Sequence, residues 1–181
     1  MNAFFIFGVT MKKGQHLFIF NLIILLMIAP CAVATTLTLQ IVQVDKIHSD
    51  VTDSSLLIEE SIFDYLFSKG YIVTSSPVAT DLENSNSSYA LAVNDARSSS
   101  VDFLIYTKVF FDAENSTDPD GNLLQNIDSV QWQLIRISDN KQIASGKQSP
   151  KITNSEDNTA KGISQFGVQI AGSICSSLGR K

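Results

Sequence analysis

Cysteine is nearly missing from this chain of 181 residues, which has only Cys31 and Cys175. Two thiols so far apart make no disulfide framework, and if the first departs with a leader no intramolecular bridge can form. The fold must then rest on its hydrophobic core. Histidine is as scarce, with His16 and His48 the whole supply. One imidazole and one thiol in the body cannot assemble the usual zinc site. A Ser-His-Asp arrangement would have to use His48, yet no serine stands in a Gly-x-Ser-x-Gly turn. Positive charge is thin, 13 Lys+Arg against 18 Asp+Glu, and the body carries no basic cluster. That argues against nucleic acid, because affinity for phosphates comes from clustered Lys and Arg. Gly146 is isolated and lacks the preceding glycine of a phosphate loop. A long apolar run is missing too: Leu17–Met27, interrupted only by Asn21, is short of the about 20 residues that a membrane span needs.

What is present begins with an address. Lys12 and Lys13, the apolar run and then Ala32-Val33-Ala34 are the three parts of a secretory signal peptide, with cleavage predicted at the small residues Ala32 and Ala34, after Ala34. Residues 1–10 are apolar and uncharged, which places the expected translation start at Met11. A retained anchor is the alternative to cleavage. Lipidation of Cys31 is another, although Pro30 stands where a lipobox wants a small residue. The expected domains are therefore a signal peptide, 1–34, and a single periplasmic domain, 35–181, with no integral membrane segment once the leader is removed. Losing Lys12 and Lys13 leaves 11 basic against 18 acidic residues, a net charge of −7. About 147 residues suffice to bury a core as one domain.

Within that body, Thr36–Val44 alternates Leu37, Leu39 and Ile41 with Thr38 and Gln40, the period of a half-buried strand. Ser55–Lys69 spaces Ile58, Ile62 and Leu66 along one helical face, with Phe63 and Phe67 beside them. Asp53 or Ser54 is the expected N-cap, and Gly70 the C′ residue. A strand at Tyr71–Thr74 follows, then a short helix marked by Tyr89, Ala92, Val93 and Ala96. Val101–Phe111 is apolar on both faces at its centre, which predicts a central strand covered on both sides. Val130–Ile137 and Gln142–Gln148 flank Ser138-Asp139-Asn140-Lys141 as an antiparallel hairpin. The last helix carries Ile163, Phe166, Ile170, Ile174 and Leu178 as its stripe and ends at Gly179. Gly162, Gly167 and Gly172 would let it approach a sheet closely. The fold class predicted is α+β: a single mixed sheet of about five strands with two or three helices packed mainly on one face.

Candidate chemistry is sparse. Asp118-Pro119-Asp120-Gly121-Asn122 in the loop Asp112–Asp128 resembles the heart of a calcium loop, which makes Asp118 and Asp120 the candidate metal ligands. Counting from Gly121 as the sixth position puts Ser116 at the first ligand place and Ile127 at the twelfth, where a bidentate Glu belongs, so the match fails at both ends. Asp, Asn, Pro and Gly are also what any turn selects. Glu59 and Glu60 face solvent on the helix. Cys175, with no cationic neighbour until Arg180, reads as a small buried hydrophobe. Trp132 is either core or a contact surface for a partner. Asn86-Ser87-Ser88 and Asn115-Ser116-Thr117 fit the glycosylation sequon but matter only in a eukaryotic secretory route. No cofactor is expected.

The order Leu37–Val44, Leu56–Lys69, Gly70–Val73, Ala96–Ile105 and Trp132–Ser145 resembles a bacterial envelope superfamily. It includes the penicillin-binding-protein activator lipoproteins, the amino-terminal domain of the TolB translocation protein and the periplasmic core of the curli secretion channel. The resemblance implies a non-enzymatic periplasmic domain that docks on an envelope protein partner. The alternative is a secreted hydrolase that uses carboxylates of the 112–128 loop.

Overall fold

The computed structural model describes residues 34–81, 87–112, 116 and 118–179. Met11, Cys31 and Ala32 lie outside them, as do Asn86 and Asn115, and Ala34 is exposed at their start. The described elements are β1 (Thr36–Val44), α1 (Asp53–Ser68), β2 (Ile72–Ser75), β3 (Ala79–Thr80), α2 (Ser87–Ser98) and β4 (Phe103–Phe111). They continue with a 3₁₀ turn (Leu124–Asn126), β5 (Ile127–Arg136), β6 (Lys141–Gln148) and α3 (Ala160–Leu178). The sheet runs β2-β1-β4-β5-β6, with β3 pairing the far end of β1. Strands β2, β3 and β4 are parallel to β1, while β5 and β6 are antiparallel additions. This is the α+β mixed sheet expected, with six strands instead of five because Ala79 and Thr80 make a short sixth.

Two apolar layers sandwich the sheet. On one face Leu37, Leu39, Ile41, Ile105, Val130, Trp132 and Leu134 meet Ile58, Ile62 and Leu66 of α1 and Ile163, Phe166, Ile170 and Ile174 of α3. On the other, Val42, Leu104, Tyr106, Ile135 and Ile137 meet Ala92, Val93 and Ala96 of α2. Each fully buried Leu or Ile contributes about 1.5–3 kcal/mol relative to exposure. Of the three described helices, α1 and α3 share a face and α2 covers the opposite one.

That second layer corrects the expectation for β1, which is not half-buried. Thr38 and Gln40 are also buried, 5% and 7% exposed, because they point toward the face of α2. Their polar atoms are satisfied locally. The hydroxyls of Thr38 and Thr74 lie 2.8 Å apart, and Gln40 donates to the carbonyls of Ile41 and Pro77, each at 2.9 Å.

Helix α1 is capped by Thr52, one residue before Asp53 and two before Ser54, the expected caps. Thr52 has extended backbone and its hydroxyl accepts from the Ser55 N–H, so Asp53 falls inside the first turn. At the other end Gly70, at φ +86, closes a Schellman motif: its N–H reaches the Phe67 carbonyl at 2.9 Å, and that of Tyr71 reaches Leu66 at 3.3 Å. Phe67 is 63% exposed, not core, and stacks on Phe63 with centroids 6.4 Å apart. In α3, Gly167 makes its close approach to α1 and not to the sheet. A Cβ there would stand 2.7 Å from the Ser61 Cβ.

Candidate functional site

Three links gather where β1 and β4 end. The first is the segment between β1 and α1. Asp45, 2% exposed, turns its carboxylate back on its own loop: Oδ1 accepts from the N–H of Ile47 at 2.8 Å and of His48 at 3.3 Å. This is the local turn that aspartate favours. Oδ2 of the same carboxylate lies 2.7 Å from His48 Nδ1. On the far side of the ring, Nε2 is 2.9 Å from Oδ1 of Asp120, which comes from the second link, the loop between β4 and β5.

A neutral imidazole offers one N–H and one lone pair, whereas two carboxylates call for two donors. The ring between Asp45 and Asp120 therefore sits in an environment built for imidazolium. Its pKa is raised above the ordinary 6.5, first by the hydrogen bond to Asp45 and then by that to Asp120, against a smaller opposing effect of burial.

Neighbouring side chains fix both loops. Gln43, at the end of β1, accepts at Oε1 from the Thr52 N–H (2.9 Å), the Thr52 hydroxyl (3.0 Å) and the Ser55 hydroxyl (2.8 Å), and donates to the Asp50 carbonyl at 3.0 Å. Asn122 accepts from the Ser54 hydroxyl at 3.3 Å and donates to Asp53 at 3.4 Å. Asn126 donates through Nδ2 toward the carbonyls of Asp118, Pro119 and Gly121, at 3.0, 3.2 and 2.9 Å, which curls the loop around one amide. The third link, between β6 and α3, joins through Asn158. Its Oδ1 accepts from the Gln125 N–H at 2.9 Å, and its Nδ2 donates to Gln125 Oε1 at 3.0 Å.

The expected metal ligands end in different places. Asp120 gives its carboxylate to His48. Asp118 is exposed, and its carboxylate lies so close to Gly121 that a Cβ there would fall 2.2 Å from Oδ2. Ile127, at the twelfth position of the calcium count, is a core residue at 2% exposure. Among the described residues no three His, Cys, Asp or Glu converge as a metal ion would require. Of the acids offered for hydrolysis, Asp112, Asp118, Asp120 and Asp128 are each exposed. A polar depression of about 330 Å³ is lined by Glu156, Asp157, Thr159, Lys161 and Gln165, with none of them in its wall.

Of the two readings of Trp132, the structure bears out core and sets aside the contact surface: it is 4% exposed, and its ring lies over Gly146, where a Cβ would come within 2.7 Å of the indole. Cys175 is half-buried against the core, its sulfur 4.0 Å from the Tyr71 hydroxyl. Tyr106, on the face of α2, has its pKa pushed up to about 12, chiefly by burial and then by the charge of Asp81, so its phenol stays protonated. Sequence reasoning left His48 apart from other chemistry and missed Asp45 and Gln43. The spacing Asp45-x-x-His48 directly after a strand was the available signal.

A family model described as an uncharacterised protein matches residues 36–179. The chain belongs to that family. No curated protein matches it. Solved structures similar to it include the PelC dodecamer from Paraburkholderia phytofirmans, 16% identical over 83% of this chain and 92% of that one, with a TM-score of 0.47. TolB from Acinetobacter baumannii is 12% identical, covering 81% of this chain and 29% of TolB, at a TM-score of 0.45. The C-terminal domain of LpoB from Salmonella enterica is 15% identical over 69% and 90%, at 0.38. TolB is the protein whose amino-terminal domain the order of elements resembles. Among the described residues of this chain, no helix is long and apolar enough to cross a membrane.

Proposed function

We propose that this chain is an exported, non-enzymatic accessory protein of the bacterial envelope, which docks on a protein partner through the loop end of its sheet. The observation that carries this reading is the use made of His48. Both ring nitrogens are engaged by carboxylates, so the ring as it stands joins two loops and has no free lone pair with which to act as a general base. Asp112, Asp118 and Asp128 of the neighbouring loop are exposed beside it and offer a charged surface. The leader pattern of Lys12, Lys13 and Ala32-Val33-Ala34, together with a body of net charge −7, supports export and a partner with a basic or polar face.

Crosslinking in intact envelopes, followed by recovery of the tagged chain, tests the reading. Wild type is expected to retain a discrete protein that an Asp112→Lys/Asp118→Lys variant loses. Recovery of nothing above background, or of the same protein by both chains, overturns it. Mass spectrometry of the mature amino terminus is expected to find Thr35. A lipid on Cys31, or an intact leader, would move the site of action to a membrane surface.

A further inference from the structure

We propose that His48 is a protonation-controlled latch, which holds the loop carrying Asp120 against the link between β1 and α1 and lets it go when the ring loses a proton. The proposal is independent of what docks there. It rests on three features of the geometry. The ring joins segments 72 residues apart in sequence, with carboxylate oxygens at 2.7 and 2.9 Å from its two nitrogens. Only the doubly protonated ring can donate to both. The two carboxylates are also unequal, since the Asp45 side chain is 2% exposed and that of Asp120 is 87% exposed.

That inequality decides which contact breaks. Asp45 is buried and already accepts from two backbone N–H groups, so taking away its third donor leaves a buried carboxylate short of a partner. The single proton of the neutral ring is therefore best kept on Nδ1. Nε2 then turns a lone pair toward Asp120, two acceptors face each other, and the exposed carboxylate is free to leave into water. Residues 118–122, shaped by Asn126, would move with it.

The titratable groups facing the ring are Asp45 from its own segment and Asp120 from the loop. Asp53, at the start of α1, is turned to Asn122. Both facing groups favour the charged ring, which fixes the sign. The contact is fully formed below the unperturbed value of 6.5 and is lost as pH rises through the higher value of the folded state.

The test uses the full chain labelled at histidine ring carbons and followed between about pH 5 and 8. His48→Gln assigns which of the two histidine signals is which. Backbone amide exchange of the 118–123 segment, corrected for the intrinsic dependence on pH, is measured over the same range. The expected result is a His48 midpoint above 6.5, with loop protection falling severalfold through that midpoint. Asp120→Asn should lower the midpoint and remove the step in protection, and His48→Gln should remove the step as well. A midpoint at or below the ordinary value, protection that stays flat through it, or an Asp120→Asn chain that behaves as wild type would each overturn the latch.

Discussion

Placing a single methyl group on Gly167 tests how the two helices of the larger layer are held together. Gly167 of α3 faces α1 so closely that a Cβ would lie 2.7 Å from the Ser61 Cβ and 3.3 Å from the Ile58 carbonyl oxygen. Neither is the loose end of a flexible side chain, so the helices have to separate. Ala is favoured over Gly in a helix interior by about 0.8–1 kcal/mol, whereas an extra methyl forced into a packed core costs about 1–3 kcal/mol. The difference leaves a net cost centred near 1 kcal/mol and at most about 2, so Gly167→Ala is expected to destabilise the fold by roughly 1 kcal/mol. For a domain of this size that lowers Tm by about 2–4 °C per kcal/mol. Urea unfolding, with its midpoint moved and its slope unchanged, is the assay.

The partner side of the contact makes the test sharper. Ser61→Gly removes the obstructing carbon, while Ser61→Ala leaves it in place. A double-mutant cycle of Gly167→Ala with Ser61→Gly should therefore show a favourable coupling of at least about 0.5 kcal/mol, and the cycle with Ser61→Ala a coupling near zero. A Gly167→Ala chain as stable as wild type, or equal couplings in the two cycles, would refute the claim that this glycine is selected by helix approach.

Gly146→Ala should also destabilise, by about 1–3 kcal/mol, because its Cβ would press within 2.7 Å of the Trp132 indole. Trp132 is the single tryptophan, so its emission should shift in the folded state, and an unchanged spectrum with unchanged stability would contradict the packing. Thr52→Ala should cost about 0.5–2 kcal/mol as the loss of an N-cap, with a contribution from the donor taken from Gln43. Asp53→Ala, one residue on and exposed, should stay within about 0.5 kcal/mol. Reversal of that order in urea midpoints would restore Asp53 as the cap.

Periodicity carried the elements and faltered where a second partner decided the outcome. The spacing of Ile58, Ile62 and Leu66, the centre of β4 and the hairpin of β5 and β6 are written in neighbouring residues, and the fold keeps them. Thr38 and Gln40 look like solvent positions on the same logic. They lie on the face of the sheet that α2 covers, some 50 residues later, and the Thr74 hydroxyl and the Pro77 carbonyl satisfy their polar atoms. The start of α1 is a similar case. Thr52, Asp53 and Ser54 are all capping residues, and the choice falls on Thr52 as Gln43, at the end of the preceding strand, takes hold of its N–H and hydroxyl.

The candidate site follows the same rule more strictly. Asp45 and His48 are a local pair, three residues apart, and a strand end followed by Asp-x-x-His could have suggested a carboxylate orienting an imidazole. Asp120 could not have been joined to them by spacing, since the loop between β4 and β5 reaches His48 only because Asn126 gathers three carbonyls around its amide and Asn122 ties to Ser54 and Asp53. The composition of that loop, rich in Asp and Asn, suggests a calcium loop although the ligand count fails at Ser116 and Ile127. The neighbour tells the same way: a cation would draw Asp118 and Asp120 together, whereas His48 takes Asp120 alone and leaves Asp118 in solvent. The charge that answers Asp120 in this structure is thus a proton carried on a ring, and the latch proposed above makes the strength of that contact a function of pH.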